Sequence, residues 1–265
     1  DDKNEFSLSY NRGITRPAYD KLNPFLYYTD LYDYTAGNPY LKPEHSNTVE
    51  ISYNYNKQFI ATLYSNIVTD ASNFNFFQQN DASKVNTNTN INFGKIYNYG
   101  VRFFAPVTFT NWWTANFNLD AAYQRYVAYA VNGNLNKGTQ DVVLTSTQHF
   151  IISKTLSAEI FGKYETPSFY GINQFKSYYN ADASIGKTLF NKRGNIRLTV
   201  TDIFNTLRDR SHINYENLNM SIIDKRESQI ARLTFTYRFG KTTLKATAPH
   251  HPGNEEEQIR TFASN

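Results

Sequence analysis

The chain has 265 residues, a formal net charge of +4, no Cys, 21 Tyr and 20 Phe. Zero Cys excludes disulfide scaffolds, thiolate zinc sites and cysteine nucleophiles, and the scattered Lys and Arg leave no nucleic-acid footprint. Charged residues are 19%, below the ~25% of ordinary soluble domains, and no window approaches the ~18 uncharged apolar residues of a membrane-crossing helix.

Alternation with period two recurs along the chain. It starts with the short stripe Phe6, Leu8, Tyr10 and continues with Val49, Ile51, Tyr53, Tyr55. The longest stripe is Tyr97, Tyr99, Val101, Phe103, Ala105, Val107, Phe109, followed by Trp113, Ala115, Phe117, Leu119, Ala121, Tyr123. Then come Leu156 to Tyr164, Tyr179 to Ile185, Ile196 to Val200 and Ala231 to Phe239. The pattern predicts ten strands, over 5–12, 46–56, 59–69, 96–110, 113–125, 141–152, 155–165, 176–189, 194–205 and 228–239. The strands at 59–69 and 141–152 are blurred, and alternation assigns neither its faces.

Connections alternate strictly in length. Short turns at 56–58, 111–112, 153–154 and 190–193 lie between long loops at 13–45, 70–95, 126–140, 166–175 and 206–227. Short turns on one side and long loops on the other characterise a transmembrane barrel. Length points the same way: globular strands run about five or six residues, tilted membrane strands ~9–11. The polar face is mainly Asn, Thr, Ser and Gln, which suits a wet lumen. Aromatics gather at stripe ends (Tyr10, Tyr53, Tyr97, Trp112, Trp113, Tyr237), where an interfacial girdle belongs. The fold expected is therefore all-β, a transmembrane antiparallel up-and-down β-barrel occupying residues 1–239. Residues 240–265, with Pro249, Pro252 and Glu255 to Glu257, lose the alternation and read as a polar, disordered tail.

Several segments also resemble a known family. Ile14-Thr15-Arg16-Pro17-Ala18-Tyr19, Leu22-Asn23-Pro24-Phe25 and Gly37-Asn38-Pro39-Tyr40-Leu41-Lys42-Pro43-Glu44, the last leading into Val49–Tyr55, look like a TonB-dependent outer-membrane receptor barrel. Val200-Thr201-Asp202-Ile203-Phe204-Asn205-Thr206 and the closing stripe Leu233 to Gly240 match the same family. The resemblance implies the last ten strands of a barrel of about 22 strands around a plug. It implies ligand import across the outer membrane of a Gram-negative bacterium, without enzymatic chemistry. The partners implied are the TonB energy-coupling system, the plug, the lipid bilayer and a surface lipoprotein. The chain opens at Asp1-Asp2-Lys3 and is in a strand pattern by Phe6, so a piece of a longer protein or a processed product is expected.

Pro39 and Pro43 cannot donate ladder hydrogen bonds, and Gly37-Asn38 predicts a tight turn, so this element reads as a loop base. Asp202 to Asn205 break the alternation and predict a bulge at the barrel rim. The first long loop carries Tyr27, Tyr28, Tyr32 and Tyr34 as candidate ligand contacts; rigid aromatic groups of this kind stack on flat ligands. The plainer and favoured reading is that such rings pack together to order the loop. The five His (His45, His149, His212, His250, His251) have no metal-site spacing, and nothing places His149 in a catalytic triad. No catalytic, metal or cofactor site is expected. The rival readings are a small complete barrel acting as a pore or surface hydrolase, and a surface β-sandwich used for adhesion.

Apolar stripes that face lipid should make the chain aggregate in plain buffer and fold only with detergent or lipid. Size-exclusion chromatography with circular dichroism checks this, and a monodisperse, folded sample in buffer alone would contradict the membrane assignment.

Overall fold

Strand pairing begins at the short turns. Asn56 and Lys57 both take positive φ (53° and 55°), and Gln58 N donates to the Tyr55 carbonyl at 3.1 Å, which is the tight turn whose twist matches paired strands. The computed structural model describes residues 3–72, 74–128, 135–215 and 218–240. The tail beyond 240 lies outside the described residues.

In chain order the elements begin with β1 (Asn4–Thr15), α1 (Tyr19–Leu22), β2 (Leu26–Tyr28), β3 (Asp33–Ala36), β4 (Glu44–Tyr55) and β5 (Phe59–Thr69). They continue through β6 (Phe74–Gln79), β7 (Asn86–Ile91), β8 (Gly94–Thr110), β9 (Trp113–Ala128), β10 (Leu135–Ile151) and β11 (Leu156–Glu165). The last are β12 (Ser168–Tyr170), β13 (Asn173–Phe175), β14 (Tyr178–Leu189), β15 (Gly194–Val200), β16 (Asp209–Tyr215), β17 (Leu218–Asp224) and β18 (Ala231–Tyr237). Ten of them form one antiparallel sheet in the order β1-β4-β5-β8-β9-β10-β11-β14-β15-β18, each expected strand in its expected place. The sheet is open: β1 pairs with β4 and β18 with β15, and no ladder joins β1 to β18 among the described residues. Neither a sandwich nor a closed ten-stranded barrel is formed. No helix of the described residues is long and apolar enough to cross a membrane, and strands do the crossing.

Register carries one apolar face across the sheet. Leu8, Ile51, Leu63, Val101, Ala121 and Val142 stand opposite one another in turn over six strands. The row continues on the same face through Leu144, Tyr164 and Tyr179, and through Ile185, Leu198 and Leu233. Leu8 is 74% exposed and Leu233 67%, a degree of apolar exposure that only a lipid solvent makes favourable. The opposite face is polar and cross-linked. Arg102 Nη2 meets Glu50 Oε1 at 2.6 Å, Tyr64 donates to Asp120 at 2.8 Å, and Lys163 holds Glu165 at 2.9 Å.

The same register assigns the two blurred strands. On β5, Phe59, Ala61 and Leu63 face outward, while Ile60 and Val68 are apolar residues on the inward face, which obscures the alternation. On β10, Val142 and Leu144 face outward together with Ser146 and Gln148. Gln148 is satisfied there: its Oε1 accepts from Trp113 Nε1 at 2.7 Å and its amide donates to Ser146 Oγ. Trp113 in turn stacks on Phe109 at 4.1 Å and on Phe150 at 6.0 Å, forming part of an aromatic girdle at the short-turn end. Phe6 with Tyr53 and Phe190 with Tyr237 extend that girdle.

The long loops depart from expectation. They fold into two small sheets, β2-β3-β7-β6 and β12-β13-β16-β17, and the hairpin of β9 and β10 extends well into the span read as a loop at 126–140. Strand β15 ends at Val200, five residues before the expected end, because Asp202 takes φ +44° and Asn205 φ +54°.

Phe235 lies on the outward face and Thr234 on the inward face, opposite Ile196 and Arg197 respectively. Phe235→Arg should destabilise the membrane-embedded chain by about 2–4 kcal/mol and Thr234→Arg by much less. Urea unfolding in lipid vesicles measures both, and equal losses would refute the face assignment.

Candidate functional site

The two loop sheets close over one end of the inward face. Beneath them Phe93, Tyr126 and Phe169 are buried with Ala71 and Ala128, with Tyr126 meeting Phe169 edge-on at 5.8 Å. Ile172 and Ile213 form a second buried group with Met220 and Ile222, and Ile91 and Leu135 touch both groups. A soluble-type core therefore sits on top of a lipid-type wall.

The Gly-Asn-Pro element fastens the first loop to the second. A Cβ at Gly37 would overlap the backbone of Asn23, so its glycine serves close approach rather than a turn. The turn itself follows at Asn38, whose Oδ1 accepts from Tyr40 N at 3.0 Å and whose N donates to Lys21 O at 2.7 Å. Asn92 then brackets Lys42, its Oδ1 accepting from Lys42 N at 2.8 Å and its Nδ2 donating to Lys42 O at 2.9 Å and to Asp70 O at 2.8 Å. Glu44 accepts from Ser72 N at 3.1 Å. The element is a loop base, as its residue types predict.

Across the sheet, Asp202 is 1% exposed and ties the end of β15 to the two segments that flank the β16–β17 hairpin. Its carboxylate accepts from Ser228 Oγ at 2.6 Å, Thr206 N at 2.9 Å and Leu207 N at 3.0 Å, while its own N donates to Asp182 at 2.8 Å. Desolvation pushes this carboxyl upward, but those donors outweigh it and hold the group below the usual Asp range.

Between the tip of β10 and the second loop sheet lies a cleft of about 870 Å³. Lys137, Lys176, Arg210 and His212 line it with Phe169 and Phe175, and among the described residues no Asp or Glu does. Lys137 Nζ sits 4.3 Å over the Phe169 ring. Arg210 Nη2 donates to Ser177 O at 3.1 Å, whereas its Nε is buried and makes no hydrogen bond. His212 Nδ1 lies 3.1 Å from Ser221 Oγ. Along the chain Lys137, Lys176 and Arg210 are isolated from one another, so sequence reasoning passed over them; the register Gln174↔His212 and Phe175↔Ser211 brings Lys176 beside Arg210, and Lys137 joins them from β10 over the Phe169 ring.

The four tyrosines proposed from sequence stand elsewhere, on the β2–β3 hairpin, and none lines the cleft. Tyr28 and Tyr34 are cross-strand partners with ring centroids 5.5 Å apart. Tyr27 is 74% exposed and Tyr32 60%, so ring packing orders only part of this loop. Backbone contacts do the rest: Tyr32 N donates to Asp30 Oδ1 at 2.7 Å, and Asn86 N donates to Tyr32 O at 2.7 Å, where β3 joins β7 in parallel. Burial and the neighbouring Asp30 raise the Asp33 carboxyl pKa. Among the described residues no three His, Asp or Glu side chains are grouped to hold a metal.

Residues 1–237 match the family described as the outer membrane protein beta-barrel family. The fold is similar to the FrpB iron transporter of Neisseria meningitidis (TM-score 0.56, 18% identity, 89% of this chain and 37% of that one). It is also similar to the siderophore receptor PirA of Pseudomonas aeruginosa (TM-score 0.51, 19% identity, 77% and 34%). A variant of the ferric enterobactin receptor PfeA from Pseudomonas aeruginosa gives a TM-score of 0.50 at 15% identity, covering 78% and 33%. The chain thus spans about a third of the length of these structures. No curated protein sequence matches it.

Removing the Asp202 carboxylate leaves the part-buried Ser228, Thr206 and Leu207 donors without their acceptor. Asp202→Ala should cost on the order of 3 kcal/mol near neutral pH. Because the folded-state pKa is depressed, this contribution is full above the unfolded value of about 4 and fades as pH falls through the folded one. Denaturant titrations of both proteins across that range check it, and a pH-independent difference would contradict the role.

Proposed function

Because the chain belongs to the outer membrane protein beta-barrel family, we propose that it is the C-terminal barrel wall and loop cap of a TonB-dependent receptor. In this reading the protein captures a soluble ligand at its loop side and passes it across the outer membrane, performing no covalent chemistry. The observation that carries the reading is a lipid-facing wall whose inward face ends under an ordered, water-facing cap with a cleft. A closed small pore needs no such cap and needs a β1–β18 ladder. The two free strand edges are instead proposed to pair with further strands, since unpaired backbone in hydrocarbon costs several kcal/mol per group.

The cleft volume of about 870 Å³ falls in the range of small-molecule sites, so a glycan fragment, a siderophore or a compound of similar size fits. Tyr27, Tyr28, Tyr32 and Tyr34 are proposed as a second contact surface on the first loop, either for ligand or for a surface lipoprotein. The inward ion pairs of Glu50–Arg102 and Glu165–Lys163 are proposed to face a plug. TonB is the proposed energy-coupling partner on the short-turn side.

In the source bacterium, deletion of the gene should abolish growth on one scarce nutrient, and deletion of TonB should do the same. Uptake that continues unchanged without TonB would overturn the receptor reading in favour of a passive pore.

A further inference from the structure

We propose that the cleft between the tip of β10 and the β12–β13–β16–β17 sheet is a binding subsite for a soluble anion carried on a flat apolar ring, a statement that rests on the receptor reading. Three formal cations, Lys137, Lys176 and Arg210, line one cleft, with no carboxylate among the described residues of its walls. None of the three belongs to an ion pair among the described residues. The nearby acids, Glu165 and Asp209, line an adjoining pocket of about 330 Å³ that Lys176 and Arg210 also border, and Glu165 is held there by Lys163 at 2.9 Å. Gathering like charges without a counterion is unfavourable, and low-dielectric walls focus their combined field on whatever enters. An anion relieves that repulsion.

Arg210 supplies directed donors. One Nη2 bond fixes the guanidinium to Ser177 O at 3.1 Å, and the buried Nε is left without an acceptor. A buried donor in that state is costly, and a small rotation of the guanidinium that presents it to an oxyanion recovers the cost. Part of the remaining wall is apolar, between polar groups such as Ser168, Gln174 and Ser221. Phe169 and Phe175 line the cleft with Ile222 and Ile223, and Lys137 already lies over the Phe169 ring at 4.3 Å. A ring bearing carboxylate, sulfonate or phosphate groups satisfies both halves at once.

Register separates a soluble anion from a lipid headgroup. Lys137 stands opposite Tyr126 and Thr139 opposite Gln124, on the face that carries Asp120 and opposite to the one that carries Leu119. The cleft therefore belongs to the inward face, away from lipid.

The test uses pyranine, a water-soluble fluorescent aryl trisulfonate, and the whole outer-membrane protein in phosphatidylcholine nanodiscs, read by fluorescence anisotropy. Saturable binding is expected, weakened about tenfold or more by Arg210→Gln and by the double change Lys137→Gln with Lys176→Gln. Arg226→Gln, an exposed loop-side cation outside the cleft, should change it less than about twofold. The double variant keeps the test valid if loss of the Arg210–Ser177 bond disturbs folding. Absence of saturable binding, or equal weakening by Arg226→Gln, would overturn the subsite. Adding phosphatidylglycerol to the nanodiscs should leave the affinity unchanged, and competition by that lipid would overturn the inward, soluble assignment. Equilibrium binding needs no energy coupling. Pyranine binding in a protein that imports nothing would leave the subsite standing while the receptor reading falls, and import that survives loss of the cleft cations would do the reverse.

Discussion

Hydrocarbon offers the backbone no hydrogen-bond partner, and that constraint organises this chain. Every N–H and C=O at membrane depth has to be met by a neighbouring strand, which forces long strands, strict adjacency and one continuous register. The register then decides everything about the faces. Once Leu8 stands opposite Ile51 and Ile51 opposite Leu63, the outward side of each successive strand is fixed without further choice. Charged groups of the inward face can pair across strands, as Arg102 does with Glu50, while outward ones such as Arg125 and Lys187 stand toward strand ends.

Above the wall, water returns and so does ordinary protein chemistry. The loop sheets need a core of their own, and they obtain it from Phe93, Tyr126, Phe169, Ile172 and Ile213. Tyr126 belongs to both regimes. It sits on β9 in register with the wall, yet it is 1% exposed beneath the cap. Asp202 plays the matching part on the other side: its buried carboxylate stops β15 and gathers Thr206, Leu207 and Ser228 around the base of the loop that bears Arg210.

The wall was legible in the sequence because period-two alternation is a local signal, readable residue by residue. It failed where apolar residues stand on the inward face, as at Ile60 and Val68 of β5, and where a compensating contact is non-local, as at Gln148, whose outward amide is tolerated because Trp113, on another strand, bonds to it. The loop sheets were not legible. Segments such as Ser168–Tyr170 and Asn173–Phe175 are three residues long, too short for any period, and they are strands only because they pair with each other and β16 pairs with the second. The aromatic content of the first loop drew attention to Tyr27, Tyr28, Tyr32 and Tyr34, since ring density is visible in a window of sequence. A cleft is not visible in that way.

The cations of the cleft illustrate why. Lys137 comes from a barrel strand, Lys176 from just beyond β13 and Arg210 from the first turn of the β16 ladder, three stretches with no common motif. Their composition neighbours are ordinary, and scattered Lys and Arg in a chain of net charge +4 imply nothing by themselves. What concentrates them is topology: β10, β11, β14 and β15 are successive neighbours in the wall, so the β11–β14 loop and the β15–β18 loop emerge beside each other near the tip of β10, and β13 and β16 pair across the gap. A barrel wall leaves the chemistry of its mouth to whichever loops its strand order makes neighbours. The wall can therefore keep the same lipid-facing stripes while substitutions in those loops set what the mouth binds.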